Sequence, residues 1–262
     1  MHVALSVYAL TWITLLEYGI SYNESILYFN FYATITGYNF VKYFGVAKFH
    51  HRRLATWLKL IQLFSLLCFA LMCFYVLRLN NETVLYIGGF GVLTFLYAIP
   101  FLPKRFFLDK QQNLRSVGGL KIYLIALIWS GVTVILPLIN TNYLIEQEVI
   151  VTGVQRFLFI VALMLPFEIR DLQYDSIKLS TIPQKIGVTK TKIIGVTLLI
   201  VFYLLQFFKS QVSSLDHFIM VIITTVTILF IVIAKKEQNK YYSSFYVESI
   251  PLLWLALLCL LN

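Results

Sequence analysis

The stretch Pro166-Phe-Glu-Ile-Arg-Asp-Leu-Gln-Tyr-Asp175 gathers three carboxylates at helical spacing. Glu168, Asp171 and Asp175 stand at i, i+3 and i+7, so on a helix they share an arc of roughly 60°. Acids stacked this closely repel one another unless a positive charge sits among them. Hard oxygen donors along one face suit Mg²⁺, which typically bridges one or two carboxylates to substrate phosphates. The plainer alternative is a solvated helix end whose acids are paired by Arg170 and Lys178. Pro166 would loosen the last helical turn, and both readings tolerate that.

The elements that would hold these acids follow from composition. Of 262 residues, 60% are hydrophobic and only 13% charged. A soluble domain of this size could not hide so much apolar surface. About nine apolar segments run along the chain, many near the ~20 residues that a membrane helix needs. They are Val3–Ile20, Ser25–Val46, Ala55–Leu79, Val84–Leu102, Val117–Ile139, Val149–Phe167, Lys192–Phe208, Phe218–Ala234 and Phe245–Leu261. Lipid offers the backbone no hydrogen-bond partners and the segments lack strand alternation, so all should be helices. No linker divides them. The expectation is a single all-α integral membrane domain over 1–262. Ionisable groups at membrane depth are costly and by default mark function.

The loops sort by charge. Lys48, Arg52 and Arg53 follow the second segment; Lys104, Arg105, Lys110 and Arg115 follow the fourth. Lys178, Lys185, Lys190 and Lys192 follow the sixth, and Lys235, Lys236 and Lys240 the eighth. The alternate loops carry Glu82, Glu146 and Glu148, with Lys209 as the exception. By the positive-inside rule the N-terminus is cytoplasmic and the C-terminus external, in the cell (inner) membrane. The first segment lacks a basic start and a small-residue cleavage site, so it is expected to remain as a helix. The net charge of +9 is explained by this topology, and no basic stripe interleaved with aromatics argues for nucleic-acid binding. Cys68, Cys73 and Cys259 lie inside apolar segments without disulfide or metal-ligand spacing. His50 and His51 read as loop residues, and Glu248 with Pro251 as a buried polar position in the last segment.

The segment Glu168–Asp175, followed by Leu179-Ser-Thr-Ile-Pro183 and Gly187, resembles the second aspartate motif of the UbiA-type intramembrane prenyltransferases. Leu96-Tyr-Ala-Ile-Pro-Phe-Leu-Pro-Lys-Arg105 resembles their Tyr-and-Lys loop, and Gly118-Gly-Leu-Lys121 and Trp129 are similar to downstream features. The resemblance implies a bundle around a central cavity opening toward lipid. In that family two Asp-rich motifs, ending the second and sixth helices, hold Mg²⁺ against an isoprenoid diphosphate. Ionisation of the diphosphate yields an allylic cation, which an aromatic or other lipophilic acceptor captures.

Carried onto this chain, Glu168, Asp171 and Asp175 become metal ligands, and Arg170 and Lys178 contacts for the diphosphate. Asn39, Lys42, Tyr97 and Lys104 become catalytic candidates. The first motif departs from the family's NxxxDxxxD: Asn39 matches, but Tyr43 and Ala47 stand where the two aspartates belong. Lys42, on the face of Asn39, offers a point charge for a phosphate oxygen, or else snorkels to the interface beside Lys48. Three functions stay open: an Mg²⁺-dependent prenyltransferase, a non-catalytic protein of that fold binding a prenyl lipid, and a small transporter. The first expects Asp171 and Asp175 to face an internal cavity with Glu168, and Arg170 to point elsewhere.

Overall fold

The computed structural model describes residues 1–47, 56–98, 119–173, 181–210, 212–239 and 241–261. Among them there is no strand, and nine long helices each coincide with one apolar segment. They are α1 His2–Glu17, α2 Glu24–Ala47, α3 Thr56–Val76 and α4 Asn81–Ala98, then α5 Leu120–Asn140, α6 Gln147–Asp171 and α7 Val188–Phe208, and finally α8 Ser214–Ile233 and α9 Tyr242–Leu261. Five of these, α5 to α9, are long and apolar enough to cross a membrane. Leucines and phenylalanines stand out on the surface, among them Leu63, Leu85 and Phe207, each more than 60% exposed. Apolar surface of that extent would aggregate in water and is at home in lipid.

Cross-links at the helix ends establish an up-and-down order. At one end the start of α1 meets the start of α9, where the His2 ring stacks on Phe245 and its Nε2 lies 2.9 Å from Ser249 Oγ. The start of α7 meets the end of α8 there, with Lys192 Nζ donating to the Val232 carbonyl. At the other end, Tyr75 at the end of α3 donates to Glu24 at the start of α2. Tyr18, just past α1, lies 2.9 Å from Thr152 near the start of α6. Helices α1, α9, α8, α7, α6 and α5 pack in sequence as a ring, with α2, α3 and α4 laid against the α1–α5 side. Phe159, Phe202 and Trp254 fill the heart of that ring, their centroids 5.3 to 6.0 Å apart.

Two local features shape the ring. In α5, residues Gly131–Ile135 form a π turn, and the Asn30 amide of α2 donates at 3.0 Å to the Val132 carbonyl in it. A side chain from a neighbouring helix thus bonds the carbonyl of an irregular turn. In α7, a Cβ on Gly195 would stand 2.8 Å from Leu165 of α6 and 3.1 Å from Ile231 of α8. Any side chain at this position would require Leu165 and Ile231 to shift. Gly195→Leu is expected to cost about 1–3 kcal/mol through overpacking, read as a lower unfolding midpoint in detergent. An unchanged midpoint would show that Leu165 and Ile231 have room to turn aside.

Candidate functional site

The carboxylate cluster lies at the end of α6, which runs past the apolar segment and keeps Glu168 and Asp171 helical. Pro166 sits inside the final turns without an amide hydrogen to donate. Its carbonyl accepts from Gln238 Nε2 at 3.0 Å, and Gln238 also donates to Ser243 Oγ at 2.7 Å. The α8–α9 connection is thereby tied to the loosened turn that carries the acids.

Glu168 is buried, with 2% of its side chain exposed, and lies 4.0 Å from Lys121 Nζ at the start of α5. That separation is too long for a hydrogen bond and acts through charge. Asp171 is partly open to solvent. Arg170 donates to its Oδ1 twice, from Nε at 2.9 Å and from the terminal guanidinium nitrogen at 2.8 Å. The same guanidinium lies over the Phe167 ring at 5.4 Å and is a cation acting on Glu248 of α9. Three acids from two helices, Glu168, Asp171 and Glu248, therefore share Lys121 and Arg170 at one end of the bundle.

This arrangement reverses one expectation. Arg170 does not point away from Asp171; the guanidinium folds onto the neighbouring carboxylate. At the last turn of a helix the two side chains leave the backbone with space to meet, and a partly desolvated acid gains from the charge-assisted bond. It also gives Glu248 a cation that its own helix α9 lacks.

Asn39 is engaged elsewhere: its amide donates to Ser65 Oγ of α3 at 2.7 Å. No hydrogen bond or ion pair among the described residues joins it to the acids of α6. Lys42, Tyr43 and Ala47 continue α2, and Tyr97 lies in the last turn of α4, but their side chains fall outside the described residues. Asp175, Lys104 and Lys178 also lie outside them. Among the described residues, no three His, Cys, Asp or Glu side chains converge on one point.

A second polar centre, missing from the sequence reading, sits at the opposite end of α6. Arg156 lies 15 positions before Asp171, roughly 20 Å along the helix. It is 2% exposed; its guanidinium lies 5.1 Å over the Trp254 ring and donates to Thr14 Oγ1 at 3.3 Å. Glu17 at the end of α1 is the carboxylate acting on it, and Lys209 Nζ lies 3.6 Å from Glu17. The lysine that broke the loop pattern is thus neutralised by an acid of another helix. Arg78, at the end of α3, is a second cation on this side, stacked 4.2 Å over Phe74. The signal for Arg156 was present as a lone arginine inside the apolar segment Val149–Phe167.

Compared with family models, characterised proteins and solved structures, the chain matches none.

Proposed function

We propose that the chain is a membrane-embedded protein of the UbiA-type prenyltransferase kind, with its site at the Lys/Arg-rich end of the bundle. In this reading all nine helices cross the membrane, the N-terminus is cytoplasmic and the C-terminus external. The observation that carries the reading is the buried Glu168 facing Lys121 beside Asp171, where a membrane helix ends in acids rather than in water. An ionisable side chain in so dry a position is costly and by default marks function.

Hard carboxylate oxygens fit Mg²⁺: Asp171 has only Oδ1 engaged by Arg170, and Asp175 continues the same helical face in sequence. Glu168, Asp171 and Asp175 would hold the ion, which supplies charge neutralisation for a diphosphate leaving group. Arg170 is placed to transfer its fork of donors from Asp171 to a diphosphate oxygen, a geometry that suits phosphate bidentately. Lys121 places a positive charge 4.0 Å from Glu168 in its buried position. Phe167, under Arg170, offers a ring face toward an allylic cation. An isoprenoid diphosphate and a lipophilic acceptor drawn from the bilayer are the substrates.

A second reading, a non-catalytic prenyl-lipid binder, is favoured by the Arg170–Asp171 bond together with Tyr43 and Ala47 in the first motif. One experiment separates the two. Purified protein is titrated with farnesyl diphosphate in the presence of Mg²⁺ and then of a chelator. Binding that falls at least tenfold on chelation, and again in Asp171→Asn, supports the site. Release of diphosphate in the presence of membrane lipid selects the enzyme, and binding without release selects the binder. No binding in either condition removes both.

A further inference from the structure

A groove at the opposite end of the bundle is lined by Tyr22, Glu24, Tyr28, Tyr32 and Tyr75. It runs between the start of α2 and the end of α3, and does not depend on the function read from the α6 acids. Tyr28, Tyr32 and Tyr75 stack on one another with centroids 5.5 to 6.3 Å apart and planes within 23°. The three centroids form a near-equilateral triangle, so the rings are offset neighbours, and the groove beside them is mainly polar. The lining of the groove is therefore phenolic oxygen and carboxylate, which calls for a ligand rich in N–H donors. A quaternary ammonium has no N–H group to give to these oxygens.

Opposite charges meet across one of these rings. Tyr75 donates to Glu24 Oε1 at 3.1 Å, while the Arg78 guanidinium lies 5.9 Å from the Tyr75 ring and 4.2 Å over Phe74. A stacked guanidinium keeps its in-plane N–H groups directed outward, in the fork that matches a phosphate. No carboxylate among the described residues pairs with Arg78. Below it the same helix carries an apolar furrow lined by Leu63, Leu67 and Ala70. Ala70 and Leu67 lie eight and eleven residues before Arg78, roughly 12 and 16 Å down the helix. That depth is about one leaflet of a hydrocarbon core ~30 Å thick.

We propose that this groove binds a zwitterionic phospholipid with a primary-ammonium head group. The ammonium is received by Glu24 and the tyrosine hydroxyls, the phosphate by Arg78, and an acyl chain lies along the α3 furrow. Taken singly, each feature has a plainer reading. Glu24 suits the first turn of a helix, Arg78 suits an interface, and tyrosines gather where a membrane meets water. None of these readings brings an acid and a base to the two sides of one tyrosine beside an acyl-length furrow.

The test uses the full chain, reconstituted with equimolar phosphatidylethanolamine, phosphatidylcholine and phosphatidylglycerol of identical acyl composition. Lipid retained after detergent extraction is counted by native mass spectrometry. The parent should retain phosphatidylethanolamine about tenfold over the other two, the selectivity of one charge-assisted hydrogen bond. Glu24→Gln should erase the preference over phosphatidylcholine, and Arg78→Gln should lower retention of both zwitterionic lipids. Equal retention of the three by the parent overturns the proposal. So does a preference for phosphatidylglycerol, or a phosphatidylethanolamine preference that survives Glu24→Gln.

Discussion

Glu17→Gln lowers the stability of the protein by about 1–3 kcal/mol, because the buried Arg156 loses the carboxylate whose charge acts on it. Arg156 is fully enclosed by α1, α6 and α9, held by Thr14 and the face of Trp254. Neither of these neutral contacts supplies a negative charge. Glu17 does, and it also faces Lys209. Lys209 keeps a second acid in Glu148, whose Oε1 accepts from the Ser210 amide at 2.8 Å. Loss of Glu17 therefore falls mainly on Arg156, which has no route to water. Arg156→Met, which keeps much of the side-chain length and deletes the buried charge, should cost less than Glu17→Gln, because Glu17 keeps Lys209 as its partner. The double variant Glu17→Gln/Arg156→Met should regain most of what Glu17→Gln loses. Unfolding in detergent, followed across the four proteins of this cycle, gives the coupling directly. Additive losses, or a Glu17→Gln as stable as the parent, would show that the two charges do not sense each other.

Lys42→Met weakens diphosphate binding by about 1.5–3 kcal/mol, the range for a hydrogen bond to a charged group. Tyr43 and Ala47 supply no carboxylate to the first motif, so negative charge on the ligand must be offset by something other than a metal held there. Lys42 is the one formal positive charge within α2, three residues past Asn39 and on the same face. Methionine retains length and apolar stem while deleting the charge. Tyr43→Asp with Ala47→Asp, introduced together into Lys42→Met, should recover part of the binding and make it more dependent on Mg²⁺. Titration with farnesyl diphosphate reads both effects. Parental affinity in a folded Lys42→Met would leave the lysine as a snorkelling side chain and move the offsetting charge to the α6 end.

The helices were legible segment by segment, because a bilayer demands a run of apolar side chains and a self-satisfied backbone. Segment Lys192–Phe208 became Val188–Phe208, and Val149–Phe167 became Gln147–Asp171. The second difference matters, because hydropathy marks where apolar side chains stop, whereas the backbone continues its hydrogen bonds for another turn. That added turn carries Glu168 and Asp171. The helical spacing of these two acids could be read in advance. Of their partners, Arg170 on Asp171 matches the plainer reading of paired acids, whereas Lys121, which comes from α5, could not be read from the local sequence.

Hydropathy is a sum over neighbours in the chain, so it recorded Arg156 as one polar residue in an apolar window. Its meaning came from Thr14, 142 positions away, and from Glu17 and Trp254. Likewise the pattern of loop charges followed from sequence order, but the neutralising of Lys209 required the end of α1 to come within reach of the residue that follows α7. The amino-acid sequence by itself determined which segments are helices and which ends are basic, because both are local consequences of solvent. Tertiary structure alone decided which charges meet, because in a bundle each ionised side chain is stabilised by whatever the neighbouring helix presents at its depth.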